Sequence, residues 1–222
     1  MRDHRTASVK LRDLVEIQIG YQHRDSARPA SAVTTGTHRI IQIKDLDLEG
    51  RFKSEVLDRG GIVPYVWPNG LFLLTPSGDA WRYRVGQGDL LFLSRGQRAI
   101  AVAIPDPLQE TIAAYYFYIL RPDKTSILPE YLAWFINQPS AQAYFESNQM
   151  GSHIKMIPKP ALEQLEVVLP PLATQGSIVQ LEKLRQTEEH TMVRLAKARK
   201  KLIDGLALEA AMNGRAHPQE KL

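Results

Sequence analysis

The chain has no cysteine among its 222 residues. A disulfide framework and a thiolate zinc site are therefore both excluded. No apolar run approaches the roughly 18 residues that a membrane span needs. The N-terminus, Met1-Arg2-Asp3-His4-Arg5, is charged. Neither a signal peptide nor a membrane partner is expected, and the default expectation is a cytoplasmic protein. A general excess of positive charge is also missing. Residues 1–174 carry 19 Lys and Arg against 18 Asp and Glu, and residues 175–215 carry 8 against 5. Most of the net charge of +4 thus sits in the C-terminal stretch. Any phosphate affinity of the larger part must come from local patches.

Catalytic signatures are missing as well. There is no Gly-rich phosphate loop ending in Lys-Ser or Lys-Thr, and no Gly-x-Gly-x-x-Gly after a strand. The six histidines, His4, His23, His38, His153, His190 and His217, are scattered without metal-ligand spacing. No Asp…Glu-x-Lys arrangement suits a metal nuclease. The glycine-rich cofactor loop and proline-bearing tetrapeptide of a base-amino methyltransferase are absent too. Ser152 and His153 are neighbours, but adjacency is not triad geometry. The expectation is a chain with no catalytic residues, no metal and no cofactor of its own.

What is present is a long helical stretch from Pro170 to Asn213. Leu181, Leu184, Glu188, Thr191, Leu195, Ala198 and Leu202 alternate steps of three and four, one stripe of a helix with a 3.5-residue period. Pro170-Pro171 bounds it at the start and Asn213-Gly214 at the end. Some 35–40 residues at about 1.5 Å each make a rod about 50–60 Å long. Such a rod is either a coiled-coil arm or a helix lying along its own domain, and the pattern weighs the two evenly. Glu188 and Thr191 sit mid-stripe, where polar residues fix register or orientation more than they add stability.

Ahead of that helix the chain reads as α+β, mostly strands with a short helical pair. Val9 to Leu14 is a helical turn or the approach to a strand. Val15 to Ile19 alternates apolar and polar residues, the period of a half-buried strand. A polar loop from Tyr21 to Gly36 follows, and then a strand Arg39–Ile43 running into Lys44. Residues 50–80 hold several Gly and Pro and suggest short strands joined by turns. Leu90–Leu93 and Ala99–Ile104 are apolar strands bracketing Ser94-Arg95-Gly96-Gln97-Arg98. Thr111 to Leu120 reads as one further strand. Pro129 and Pro139 each suit the first position of a helix, reaching Asn137 and about Ser147. Leu165–Leu169 is a last strand. The expected domains are 1–170, a helix over 171–213 and a tail over 214–222.

The loop Ser94–Arg98 is the best recognition candidate. Arg95 and Arg98 can each offer a bidentate fork to guanine, Gln97 can do the same to adenine, and Ser94 can reach a base or a phosphate. A hairpin turn with solvated charges is the plain alternative, at even odds from residue types alone. Gln22, His23 and Arg24, with Lys44 and the small-and-cationic loop Ser152, His153 and Lys155, complete the candidate DNA-binding set.

Four segments in order resemble a target-recognition domain of the type I restriction–modification specificity subunit. They are residues 11–21 (LRDLVEIQIGY), 88–96 (GDLLFLSRG), 128–132 with 137–139 (LPEYL and NQP), and 151–154 leading to 169–175 (GSHI and LPPLATQ). The last, a strand ending in Pro-Pro-Leu with a Gln opening a long helix, is the most specific. The resemblance covers about Lys10 to Met212.

What the resemblance implies is a non-catalytic role. Specificity subunits carry two such domains joined by long helices that pair as an antiparallel coiled coil. Each domain reads one half of a split site on double-stranded DNA, while a partner methyltransferase (modification) subunit supplies S-adenosylmethionine chemistry, with or without a restriction (motor) subunit. This chain shows one domain and one helix and looks like a half-subunit. Two copies, or this chain with a different half-subunit, would complete the pair. The competing expectation is a truncated adaptor or regulator that engages the methyltransferase through its helix and reads no sequence.

Overall fold

The computed structural model describes residues 8–22, 28–29, 38–46, 72–74, 80–96, 98–104, 108 and 110–213. His23, Arg24, Gln97, most of 50–80 and the tail 214–222 lie outside the described residues. The chain divides into two compact units, Met1–Gly176 and Ser177–Leu222.

Among the described residues, three sheets build the first unit. The alternating stretch forms β2 (Val15–Ile19), which pairs antiparallel with β9 (Phe117–Pro122); β9 pairs with β6 (Leu90–Leu93), and β6 with β7 (Ile100–Ala103), also antiparallel. The second sheet runs β3 (Arg28–Pro29), β5 (Phe72–Leu74), β4 (His38–Ile41), β8 (Thr111–Ala113), with β4 and β8 parallel. A two-stranded ribbon pairs β1 (Ser8–Lys10) with β10 (Glu166–Val168).

Strand alternation sorts the first sheet into two apolar faces. Leu91, Leu93, Phe117 and Ile119 pack into one buried cluster with Ile41 and Ala113 of the second sheet. On the opposite face, Phe92 stacks on Tyr118 at 6.2 Å and meets Phe145 of α2 (Pro139–Asn148) at 5.1 Å. α1 (Pro129–Ile136) and α2 both open on a proline, whose fixed φ suits a first helical turn. Asn137 exchanges two hydrogen bonds, 2.8 and 2.9 Å, with the Ala101 backbone. A side-chain amide thereby caps the outer edge of β7, where an open strand would invite aggregation.

One expectation is corrected. Thr111 to Leu120 is not one strand: it breaks into β8 and β9, which belong to different sheets. The break is a tight turn at Tyr115–Tyr116, closed by the Phe117 amide donating to the Ala114 carbonyl at 3.0 Å. A short helix, α3 (Lys159–Glu163), also stands ahead of β10, where the residue pattern alone shows no helical period.

The long helix is present as α4 (Leu172–Asn213), 42 residues and about 60 Å. Its first turn belongs to the first unit, where Gln175 is fully buried. The Gln175 side chain accepts from the Leu128 amide at 2.8 Å and donates to the carbonyls of Ser126 (3.1 Å) and Pro170 (2.8 Å). One amide therefore satisfies the N-terminal approach to α1 and the Pro-Pro corner together.

Candidate nucleic-acid interface

Strand direction decides where the loops go. β2 and β6 both run antiparallel to β9, so their C-terminal ends share one edge of the first sheet. β4 and β8 run parallel and end together, and the Ala114 amide donates to the Ile41 carbonyl at 3.0 Å. The two edges meet where the Tyr21 amide donates to the Ala113 carbonyl at 2.7 Å and the Gly20 amide to that of Phe117 at 2.9 Å. The segments following β2, β4, β6 and β8 therefore gather at one end of the unit. Gln22, Lys44 and Arg95 lie on three of them.

The loop after β6 is fastened from two sides. Ser94 is buried; its amide and hydroxyl both donate to the Tyr116 carbonyl, at 2.9 and 2.8 Å, and its own carbonyl accepts from the Ile157 amide at 2.8 Å. Ser94 is thus a strut of the loop rather than a group offered to a ligand. Arg95 is half-buried, its guanidinium carbon 5.1 Å from the centroid of the Tyr115 ring. That placement holds the planar fork at a modest energetic gain of about 0.5–1 kcal/mol. Tyr115 in turn lies 4.0 Å, centroid to centroid, from Tyr116. The Tyr115 hydrogen bond, and after it burial, pushes the Tyr116 hydroxyl above the ordinary tyrosine range. Tyr116 therefore stays neutral beside the cations. Arg98 is exposed.

The second small-and-cationic segment arrives beside it. Met150 and Met156 exchange backbone hydrogen bonds at 2.8 Å each, closing a hairpin with Ser152, His153, Ile154 and Lys155 exposed at its tip. Arg95 forms a backbone bridge with Met156, and the Gly96 amide donates to the Lys155 carbonyl at 3.1 Å. Gly96 has φ +140° and Gly151 φ +100°, both in the region that favours glycine. Among the described residues, Arg98, His153 and Lys155 have no carboxylate partner. A cleft of about 260 Å³ lies beneath these loops, floored by Leu93, Phe145 and Ile157 and rimmed by Arg98 and Lys155.

Lys44 stands exposed on a 3-10 turn, Ile43–Asp45, closed by Asp45 accepting from the Gln42 amide at 2.8 Å. Of the candidates, then, Gln22, Lys44, Arg95, Arg98, Ser152, His153 and Lys155 come to one end of the unit. Sequence reasoning does not find Tyr115 and Tyr116, which hold this end together; no Gly, Pro, Asn or Asp marks their turn.

A larger cleft of about 860 Å³ opens at the other end of the first sheet, between Glu16, Trp81, Arg84, Asp89, Glu110 and Arg121. Two of its cations are committed. Arg84 pairs with Glu110 and lies 4.4 Å from the Trp81 ring; Arg121 donates to the carbonyls of Arg82 and Arg84. Burial raises the Asp89 carboxyl, against the pull of the Gly86 amide, Arg121 and Lys124. Among the described residues no group of histidines and carboxylates is disposed to hold a metal ion, and no helix is long and apolar enough to cross a membrane.

On α4, Leu181, Leu184, Leu195 and Leu202 are each more than half exposed, and Glu188, Thr191 and Ala198 are exposed with them. Met192, Ile203, Leu206, Leu208 and Met212 widen the apolar surface beyond the single stripe. The Thr191 hydroxyl donates to the Thr187 carbonyl at 2.8 Å, so this seam hydroxyl is satisfied within its own helix. Arg185 forks onto Glu182 and Glu189, and Lys200 pairs with Asp204, surface pairs worth about 0.3–0.5 kcal/mol each.

Known proteins share this fold. Residues 39–192 match the family model for the type I restriction modification DNA specificity domain. A comparison with curated proteins finds no match. Among solved structures, the type I restriction-modification S subunit from M. genitalium aligns with TM-score 0.53 at 12% identity, over 94% of this chain and 47% of that one. The HsdS subunit from Thermoanaerobacter tengcongensis aligns with TM-score 0.59 at 18% identity, over 97% and 51%. A third, described as the structural basis of complex assembly and conformational transition of the type I R-M system, aligns with TM-score 0.61 at 17% identity, over 97% and 51%. The chain spans about half the length of these solved chains.

Proposed function

The chain belongs to the type I restriction–modification DNA specificity family, and from that premise we propose that it reads one half of a bipartite site on double-stranded DNA and docks a DNA methyltransferase subunit. The observation that carries the reading is the convergence of Gln22, Lys44, Arg95, Arg98, His153 and Lys155 at one end of a two-sheet scaffold. In a stretch whose overall charge is nearly balanced, Lys44, Arg95, Arg98 and Lys155 supply the local patch that phosphates need. Arg95 and Arg98 are the candidates for guanine edges and Gln22 for an adenine edge, while Lys44 and Lys155 hold the backbone. S-adenosylmethionine and the transfer chemistry belong to the partner subunit.

The helix α4 pairs with a second helix of the same kind, from another copy or a second half-subunit. Leucines more than half exposed along one stripe support this, because such a stripe is ordinarily buried against a partner. Charge supports an antiparallel arrangement. Parallel copies would set Glu188 against Glu188, and the run Arg194, Lys197, Arg199, Lys200 and Lys201 against itself. Antiparallel copies turn Glu188 towards that cationic run instead, and a two-fold axis closes the pair. The two reading ends then face the halves of an interrupted inverted repeat.

The test is binding of the assembled complex, chain plus methyltransferase subunit, to its preferred duplex. Replacing Arg95 and Arg98 together by Ala should cost about 1–3 kcal/mol for each base that these side chains read, and should relax the sequence preference. Unchanged preference would favour the adaptor reading.

A further inference from the structure

The hairpin Met150–Met156 carries an apolar side chain where turn chemistry favours polar ones. Ile154 is 69% exposed at its tip. Isolated exposed aliphatics are common on protein surfaces and need no explanation by themselves. Three features set this one apart. The loop is closed at its base: Met150 and Met156 exchange two backbone bonds, and Gly151 turns with φ +100° so tightly that a Cβ there would lie 2.4 Å from the Ile154 carbonyl oxygen. It is anchored to the loop after β6 through the Gly96–Lys155 bond and the Arg95–Met156 bridge. And Ile154 is bracketed by exposed His153 and Lys155, with Arg98 exposed on the neighbouring loop.

We propose that Ile154 is a specificity-determining residue that reads a thymine by apolar contact with its 5-methyl group in the major groove. The inference rests on the DNA-reading function proposed above and adds an interaction that the charged residues cannot supply. The thymine methyl is the apolar group that a base pair displays in the major groove, where an aliphatic side chain can meet it. Lys155 and Arg98 have the charge, and His153 the ring N–H, to grip phosphates while the aliphatic tip goes in.

The experiment uses the complex of this chain with its methyltransferase subunit, on the site found by sequencing the methylation it directs. Each thymine of the half-site is replaced singly by deoxyuridine, which removes only the methyl group, and affinities are measured at fixed salt. One replacement should weaken the wild-type complex about fourfold, the worth of one buried methyl-sized group. The same replacement should leave the Ile154→Ala complex unaffected, and Ile154→Val should fall between. The inference is overturned if no deoxyuridine weakens the wild type, if the half-site holds no thymine, or if Ile154→Ala is equally sensitive to the replacement. It is likewise overturned if 2-aminopurine in the half-site reports unstacking by the wild type that Ile154→Ala abolishes, which would make Ile154 a wedge between base steps. A wild-type complex with no sequence preference at all would instead sink the DNA-reading function, whereas specific binding indifferent to Ile154 sinks this inference alone.

Discussion

The Gly96 amide donates to the Lys155 carbonyl oxygen at 3.1 Å, joining two loops far apart in the chain. Through this bond the Arg95 loop and the His153 hairpin form one continuous surface. Neither loop has a large core of its own, so backbone bonds and glycine conformations hold the surface in shape.

Glycine replacements should therefore damage that surface in graded fashion. At Gly96 an added Cβ meets only Leu93, 3.8 Å away, so Gly96→Ala costs the φ strain alone, about 1–3 kcal/mol. At Gly151 the Cβ also collides with backbone, so Gly151→Ala should cost more. Denaturation midpoints of the two variants measure the order; equal midpoints would contradict the geometry.

Gln175 should matter as much as a core leucine. Gln175→Leu leaves the Leu128 amide and two carbonyls without their side-chain partner, roughly 1–3 kcal/mol for each group left buried and unsatisfied. A fall in the urea midpoint without loss of α4 helicity by circular dichroism is the expected result.

Asp89 gives a pH signature. Burial raises its folded carboxyl above the ordinary value of 3.8, so the ionised form weakens the fold at neutral pH. Stability is recovered as pH falls through the raised folded value towards 3.8. Asp89→Asn keeps an oxygen for the Gly86 amide, which the carboxylate now accepts at 2.9 Å. The variant should melt higher than the wild type at about pH 7, and the difference should shrink towards about pH 4. Thermal melts at the two values decide it; a variant that melts lower at neutral pH would contradict the burial argument.

The seam of α4 should be tunable. Glu188→Lys sets a cation against the facing cationic run and should weaken antiparallel helix pairing about tenfold or more, since each decade needs only about 1.4 kcal/mol. Leu195→Asp should abolish pairing. Sedimentation equilibrium of the three chains tests both.

Much of this fold is legible in the sequence because the period is local. Val15–Ile19 alternates strictly and is β2; Pro129 and Pro139 mark the first turns of α1 and α2; the helix ahead of Asn213 runs unbroken to it. The turn at Tyr115–Tyr116 is not legible. Two aromatic residues inside an apolar run look like strand, and only the Ser94 bonds to the Tyr116 carbonyl, 22 residues away, show why the chain reverses there. α3 spans just five residues, too few for a helical period. Ser94 itself shows the limit for the site. A hydroxyl in a cationic loop suits a ligand by type, but whether the backbone already uses it is a tertiary fact. The exposed stripe on α4 is legible as a pattern, while Ile203, Leu208 and Met212 broaden it in ways a heptad does not describe.

The most direct test of the central claim is sequencing of DNA methylation in cells that carry this chain and its methyltransferase subunit, as wild type and with Arg95→Ala plus Arg98→Ala. The expected result is methylation at an interrupted site in the wild type, lost or shifted to relaxed sequences in the variant. An identical methylation pattern in both would show that this end of the molecule does not read DNA.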